Sequence, residues 1–113
     1  MDMERLSFTF IGTWDLFQND VKGGVFIFSE NTFIDKMSEE EYAGKGTWVT
    51  ETPDKLILTY THSRSTGHHY SVDDLPELAV PEILECTYDH ISVSEFKLTI
   101  LVYGIEFICK KRN

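Results

Sequence analysis

The chain has 113 residues, 42% hydrophobic and 13% aromatic, and carries a formal net charge of −9 from 10 basic and 19 acidic residues. This length fits one domain, 1–113, and the composition is too apolar for a disordered chain. The negative charge repels phosphates and anionic lipid headgroups, and no apolar run is long enough for a transmembrane helix. We therefore expect no nucleic-acid partner and no membrane span.

Alternating apolar and polar residues fill the first half of the chain and predict half-buried strands. Turns rich in Asn, Asp, Gly or Glu separate them, with the sequences QNDVKGG, SEN, SEEE and TPD. The predicted strands cover 12–17, 24–29, 32–37, 42–51 and 55–62.

The second half begins with the longest irregular stretch, 63–81, in which DDLPEL is compatible with a short helix. A long loop of this kind is often functional, so we expect it to form a lid or rim. Three further strands are predicted at 82–94, 96–103 and 104–110, the first bent near Asp89 and His90, where the alternation slips.

Eight short strands joined mostly by tight turns predict an all-β fold in which sequence neighbours pair antiparallel. An open meander would leave its outer strands unpaired, and closure into an up-and-down β-barrel removes that problem. A β-sandwich is the alternative architecture.

The triplet Gly-Thr-Trp occurs twice, at 12–14 and 46–48, and contains both tryptophans of the chain. Glycine permits the sharp bend and close backbone approach needed where a strand meets a barrel end. A tryptophan two residues later points to the same side as the glycine. We expect Trp14 to close one end of the barrel and Trp48 to fill the interior beside the fifth strand.

The segment IGTWDL resembles the Gly-x-Trp signature of lipocalins and related calycins, and residues 24–62 are similar to small bacterial lipocalin-like domains. The resemblance implies a barrel with one closed end and one open mouth that binds a small hydrophobic molecule inside. It also implies that a basic residue near the last strand, Lys110, Lys111 or Arg112, stacks over Trp14. The chain is shorter than full lipocalins and lacks their long C-terminal helix.

The reactive side chains do not form a recognisable catalytic or metal-binding pattern. His68 and His69 are adjacent and point to opposite sides of an extended chain, so we expect no metal site there. The acidic turn at 39–41 is interpreted as solvated. Cys86 and Cys109 lie in apolar strands and are predicted to be buried free thiols. We predict no catalytic residues, no metal and no cofactor.

The surplus of aromatic residues on predicted inward faces supports a non-enzymatic barrel that binds a small hydrophobic ligand in its interior. The alternative is a solid-core interaction or inhibitor module that acts on a protein partner through the 63–81 loop. A cytoplasmic location and a cell-envelope or secreted one, after removal of a leader, both fit. The predicted ligand-binding residues are Phe26, Phe28, Phe33, Tyr42, Trp48, Leu58, Tyr60, Ile100 and Phe107.

Overall fold

A computed structural model describes residues 9–51, 54–63 and 68–112. The predicted turn at 52–54 and the loop at 63–81 fall partly outside these ranges. The strands are β1 (Gly12–Gln18), β2 (Val21–Phe28), β3 (Thr32–Lys36), β4 (Tyr42–Thr50), β5 (Lys55–Ser63), β6 (Glu77–Ser92), β7 (Glu95–Ile100) and β8 (Ile105–Lys111).

The eight strands form one closed barrel in sequence order, β1 to β8. Every neighbouring pair is antiparallel, and the barrel closes where β1 pairs with β8, with Leu16 opposite Cys109. This confirms the all-β, eight-stranded, up-and-down architecture and rules out the β-sandwich. No helix in the described part of the chain is long and apolar enough to cross a membrane.

Several strand limits differ from the prediction. β2 starts at Val21, inside the predicted turn, and β7 ends at Ile100, where residues 101–104 form a tight turn. DDLPEL, whose sequence is compatible with a short helix, contributes helical residues only to a single 3₁₀ turn, Val72–Asp74, which is capped by Ser71, and β6 already starts at Glu77. Pro76 therefore precedes a strand, an extended position that proline tolerates.

Among the described residues, the first half of β6 pairs with a strand on one side only. Its pairing with β5 begins at Glu77, opposite His62, whereas its pairing with β7 begins at Cys86, opposite Ile100. The predicted bend also occurs, since the β6–β7 register shifts between His90 and Ser92.

The barrel core consists of the alternate, inward-facing residues of all eight strands. Leu56, Leu58 and Tyr60 of β5 are buried, as are Phe96, Leu98 and Ile100 of β7. Cys86 and Cys109 are fully buried free thiols, as predicted. Burial raises the pKa of Cys86 to about 11 and that of Cys109 further, so both thiols stay protonated and unreactive.

Both tryptophans lie at the same end of the barrel, which we call the closed end. Trp14 is fully buried and its indole N–H donates to the carbonyl of Phe10 at 2.7 Å. Trp48 is half-buried, packs edge-on against the rings of Phe10 and Phe28, and donates to the carbonyl of Ser29. The repeated triplet thus places both indoles at one end of the barrel. Trp14 closes this end as predicted, whereas Trp48 lies half-buried at the same end and does not fill the interior.

Gly12 and Lys111 complete the closed end. Gly12 has φ +139°, a conformation that favours glycine, and a Cβ atom there would lie 2.6 Å from Cε of Lys111. The vacant position lets the lysine cross above the indole, with its Nζ 5.4 Å from the centre of the Trp14 ring. Of the three basic residues suggested by the resemblance, Lys111 is the one that stacks.

Candidate functional site

The opposite end of the barrel contains a cavity of about 230 Å³, which we call the interior cavity. It lies among the end of β1, the start of β2, the end of β3 and the ends of β5 and β7. Most of its wall is apolar or aromatic. The lining residues are Leu16, Gly23, Gly24, Phe26, Asp35, Lys36, Met37, Ala43, Tyr60, Ile100 and Phe107.

The space exists partly because an inward-facing position of β2 has no side chain. Gly24 is buried and lies opposite Leu16 of β1, so its missing side chain leaves room beside Leu16 and Phe26. A Cβ atom at Gly24 would also lie only 2.9 Å from the carbonyl oxygen of Lys36. Gly24 therefore allows the close approach of β3 to β2 and also leaves space for the cavity.

The polar lining of the interior cavity consists of Lys36 and a hydrogen-bonded pair formed by Asp35 and Tyr60. Asp35 lies opposite Phe26 on β2 and Gly44 on β4, and so shares the inward face with Phe33. The Tyr60 hydroxyl donates to Oδ2 of Asp35 at 2.8 Å. The pair brings a carboxylate into an otherwise mainly apolar wall.

Gly44 sets the position of the Tyr60 ring. A Cβ atom at Gly44 would lie 2.8 and 2.9 Å from two carbon atoms of that ring. The ring therefore rests against bare backbone, which directs the hydroxyl toward Asp35. Its other side meets the ring of Phe33 edge-on, with centroids 4.9 Å apart.

Burial changes the acidity of both members of the pair. It raises the pKa of Asp35 to about 6, while the hydrogen bond from Tyr60 acts in the opposite direction. Burial, together with the adjacent Asp35 carboxylate, raises the pKa of Tyr60 well above its usual range. The phenol therefore remains a hydrogen-bond donor across the physiological range.

Asp15 and Glu39 differ from Asp35 because they form ion pairs on the outer wall. Arg112 bridges Asp15 and Glu39, and Lys22 contacts the same two carboxylates at 3.1 and 2.9 Å. The hydrogen bonds from Arg112 and Lys22 lower the pKa of Glu39 to about 2. These exposed pairs hold the acidic turn against the barrel but contribute little stability.

Four of the predicted ligand-binding residues, Phe26, Tyr60, Ile100 and Phe107, line the interior cavity. The remaining ones lie elsewhere: Phe28, Phe33 and Leu58 are buried in the core, and Trp48 belongs to the closed end. Tyr42 is half-buried at the start of β4, with Nζ of Lys36 5.1 Å from its ring centre.

Asp35, the only carboxylate of the described cavity wall, is not among the residues predicted from the sequence. The available signal was the alternation of β3, in which Phe33 and Asp35 fall on the same face. By the same alternation, Leu16 and Gly24 fall at inward-facing positions of β1 and β2. Charged residues seldom occupy inward positions, so the alternation of β3 marks Asp35 as an exception.

The segment after β5 lies against the outer side of β4. The backbone N–H of Tyr42 donates to the carbonyl of His69 at 2.8 Å, and Nδ1 of His68 lies 2.6 Å from Oε2 of Glu41. None of the described residues in 68–81 lines the interior cavity. No group of three or more His, Cys, Asp or Glu side chains in the described ranges is arranged to hold a metal ion.

A second depression, of about 350 Å³, lies on the outer wall between β3, β4 and the 3₁₀ turn. Its lining includes outward-facing Ile34, Lys45 and Thr61, together with Val72, and contains no carboxylate among the described residues. The interior cavity is the stronger candidate because it joins aromatic walls to a hydrogen-bonded polar pair, half-buried Asp35 and buried Tyr60.

Comparisons of the chain with protein-family models, curated proteins and solved structures found no match. The structure itself shows a closed, eight-stranded antiparallel barrel with Trp14 at one end and a cavity at the other.

Proposed function

We propose that this protein is a non-enzymatic, lipocalin-like barrel that binds one small, largely apolar molecule in the interior cavity. The observation that carries the proposal is the cavity of about 230 Å³ with walls from Phe26, Tyr60, Ile100 and Phe107. Small-molecule sites are usually concave, mainly apolar and furnished with a few polar groups, and this one has that composition.

The size of the cavity sets the size of the ligand. An engineered apolar cavity of about 150 Å³ takes up benzene. At the packing density of protein interiors, about 0.74, a ligand would fill roughly 170 of the 230 Å³. The best match is a molecule with one aromatic ring or a bicycle of similar bulk, bearing at most a short substituent.

The closed end supports the lipocalin-like part of the proposal. Trp14 lies in the Gly-Thr-Trp triplet near the start of β1, and Lys111 of the last strand stacks over its indole. This is the arrangement that the resemblance implies, together with a mouth at the other end.

The test is binding of indole, an uncharged aromatic probe, measured by saturation-transfer NMR and isothermal titration calorimetry. Wild-type protein should bind indole saturably with a 1:1 stoichiometry. Ile100→Phe should weaken binding at least tenfold, because the larger side chain occupies the cavity. Ile83→Phe makes the same exchange at an outward residue that is 62% exposed, and it should bind indole like the wild type.

Circular dichroism and a thermal melt confirm that both variants are folded before binding is compared. If the wild type takes up no indole, or if folded Ile100→Phe binds it as well as Ile83→Phe does, the ligand-binding proposal is wrong.

A further inference from the structure

We propose that the natural ligand of the interior cavity is a small aromatic or aliphatic amine, whose ammonium group pairs with Asp35. This inference rests on the proposed ligand-binding function and adds the chemical class of the ligand. Its starting point is the juxtaposition of an inward carboxylate, a phenol hydroxyl and aromatic walls in one cavity.

The Asp35 carboxylate can accept more hydrogen bonds than the one it receives from Tyr60. A carboxylate has two oxygen atoms that each accept more than one hydrogen bond. Tyr60 donates to Oδ2, whereas Oδ1 has no hydrogen-bond partner among the described residues. Asp35 lines the cavity, so a donor on a bound molecule can approach its carboxylate there.

No described basic residue neutralises Asp35. Lys36, its neighbour in β3, places its Nζ over the ring of Tyr42. The ion pairs within the described ranges involve other acids on the outer wall and around the rim. Those acids are Asp15, Glu39, Glu41, Glu85, Asp89 and Glu106.

The free-energy cost of an ionised Asp35 favours a cationic ligand. Asp35 is half-buried, and partial burial of an ionised carboxylate costs free energy unless a counter-charge offsets it. The raised pKa of Asp35 reflects that cost, and perturbed groups of this kind in clefts are candidate functional groups. A ligand cation would offset the cost, which makes occupancy by an amine more favourable than occupancy by a neutral molecule.

The rest of the cavity wall suits the apolar body of an amine. The rings of Phe26, Tyr60 and Phe107 can pack against a hydrocarbon or aromatic body, and aromatic faces also attract a nearby cation. An ammonium group donates three hydrogen bonds, so it can contact Oδ1 while its body remains in the apolar part. The net charge of −9 further favours the approach of cations over anions.

The experiment uses three probes with the same ring and a short arm: 2-phenylethylamine, which is cationic at neutral pH, 2-phenylethanol, which is uncharged, and phenylacetate, which is anionic. Affinities are measured by calorimetry at pH 7.5 for the wild type, Asp35→Asn and Asp89→Asn. The last variant removes an exposed carboxylate from β6 by the same exchange and serves as the matched control. Each measurement is repeated at 0.15 and 0.5 M NaCl, about the physiological ionic strength and well above it.

We expect the wild type and Asp89→Asn to bind the amine about 10- to 100-fold more tightly than the alcohol, and to bind phenylacetate most weakly. The preference should persist at the higher salt concentration, because a pair inside the barrel is screened less than surface charges are. Asp35→Asn should bind amine and alcohol equally well, while its affinity for the alcohol is retained.

The alternative outcomes separate the two proposals. Equal binding of amine and alcohol by the wild type overturns the amine assignment but leaves the ligand-binding function standing. The amine assignment is also overturned if the preference for the amine survives in Asp35→Asn or disappears at high salt. Either outcome would mean that surface carboxylates, and not Asp35, attract the amine. Failure of all three probes and of indole to bind refutes the proposed function itself.

Discussion

Asp35 should make the folded protein less stable as the pH rises from about 4 to above 6. Burial raises the pKa of Asp35 from the ordinary value of 3.8 to about 6, so the folded state holds this proton more tightly than the unfolded state does. Its stabilising contribution is fully present below the unfolded pKa and is lost as the pH rises through the folded pKa. Asparagine mimics the protonated side chain and can still accept from Tyr60.

The magnitude follows from the difference of about 2.2 between the two pKa values. At about 1.4 kcal/mol per pKa unit, it corresponds to at most about 3 kcal/mol. Asp35 is only half-buried, and its partial contact with solvent lowers the penalty, so we expect about 1–3 kcal/mol. Asp35→Asn should match the wild type near pH 4 and exceed it by this amount at pH 7.5.

The assay is urea unfolding at several pH values between 4 and 8, followed by the fluorescence of Trp14 and Trp48. The difference in free energy of unfolding between Asp35→Asn and the wild type cancels the effect of the other acids. Exposed Asp89→Asn should stay within about 0.5 kcal/mol of the wild type throughout. A difference for Asp35→Asn that does not change with pH, or a wild type that gains on the variant as the pH rises, refutes the reasoning.

Three further perturbations test other parts of the barrel. Trp14→Phe should lower the free energy of unfolding by about 2–4 kcal/mol in urea titrations, because it leaves a void and removes the indole N–H that donates to the Phe10 carbonyl. A loss below about 1 kcal/mol would contradict the role of Trp14 in closing the barrel end. Gly44→Ala should cost about 1–3 kcal/mol and weaken amine binding, because the new methyl group displaces the Tyr60 ring; unchanged melting and affinity would show that the ring is not held there. Cys109 should resist iodoacetamide in the native protein and react in urea, as followed by mass spectrometry, and rapid native labelling would mean that the thiol is accessible.

The barrel was predictable because alternation along a strand directly encodes which side chains enter the core. On β5, the apolar residues Leu56, Leu58 and Tyr60 all face inward, as their spacing indicates. The position of Trp14 followed from the same rule, because a glycine two residues earlier marks where the strand meets the barrel end.

The early start of β6 was not predictable from local sequence, because Pro76 and Pro81 are typical of breaks in a strand. The chain nonetheless extends from Glu77, since tertiary pairing with β5 overrides the local preference. The cavity was also beyond the alternation rule: the rule identifies inward residues but not whether they fill the space between them. Asp35 could have been singled out by its parity with Phe33, whereas its hydrogen bond with Tyr60 depends on the β3–β4–β5 register.

The long first half of β6 has a consequence for behaviour at high concentration. A strand with an unpaired edge is a template for strand addition by another chain, and Val80 and Ile83 are 78% and 62% exposed on this one. Pro81, which has no backbone N–H to donate, interrupts that edge between them, and the exposed carboxylate of Glu82 follows it. We expect Pro81 to hinder strand addition at this edge, and with it intermolecular β-aggregation.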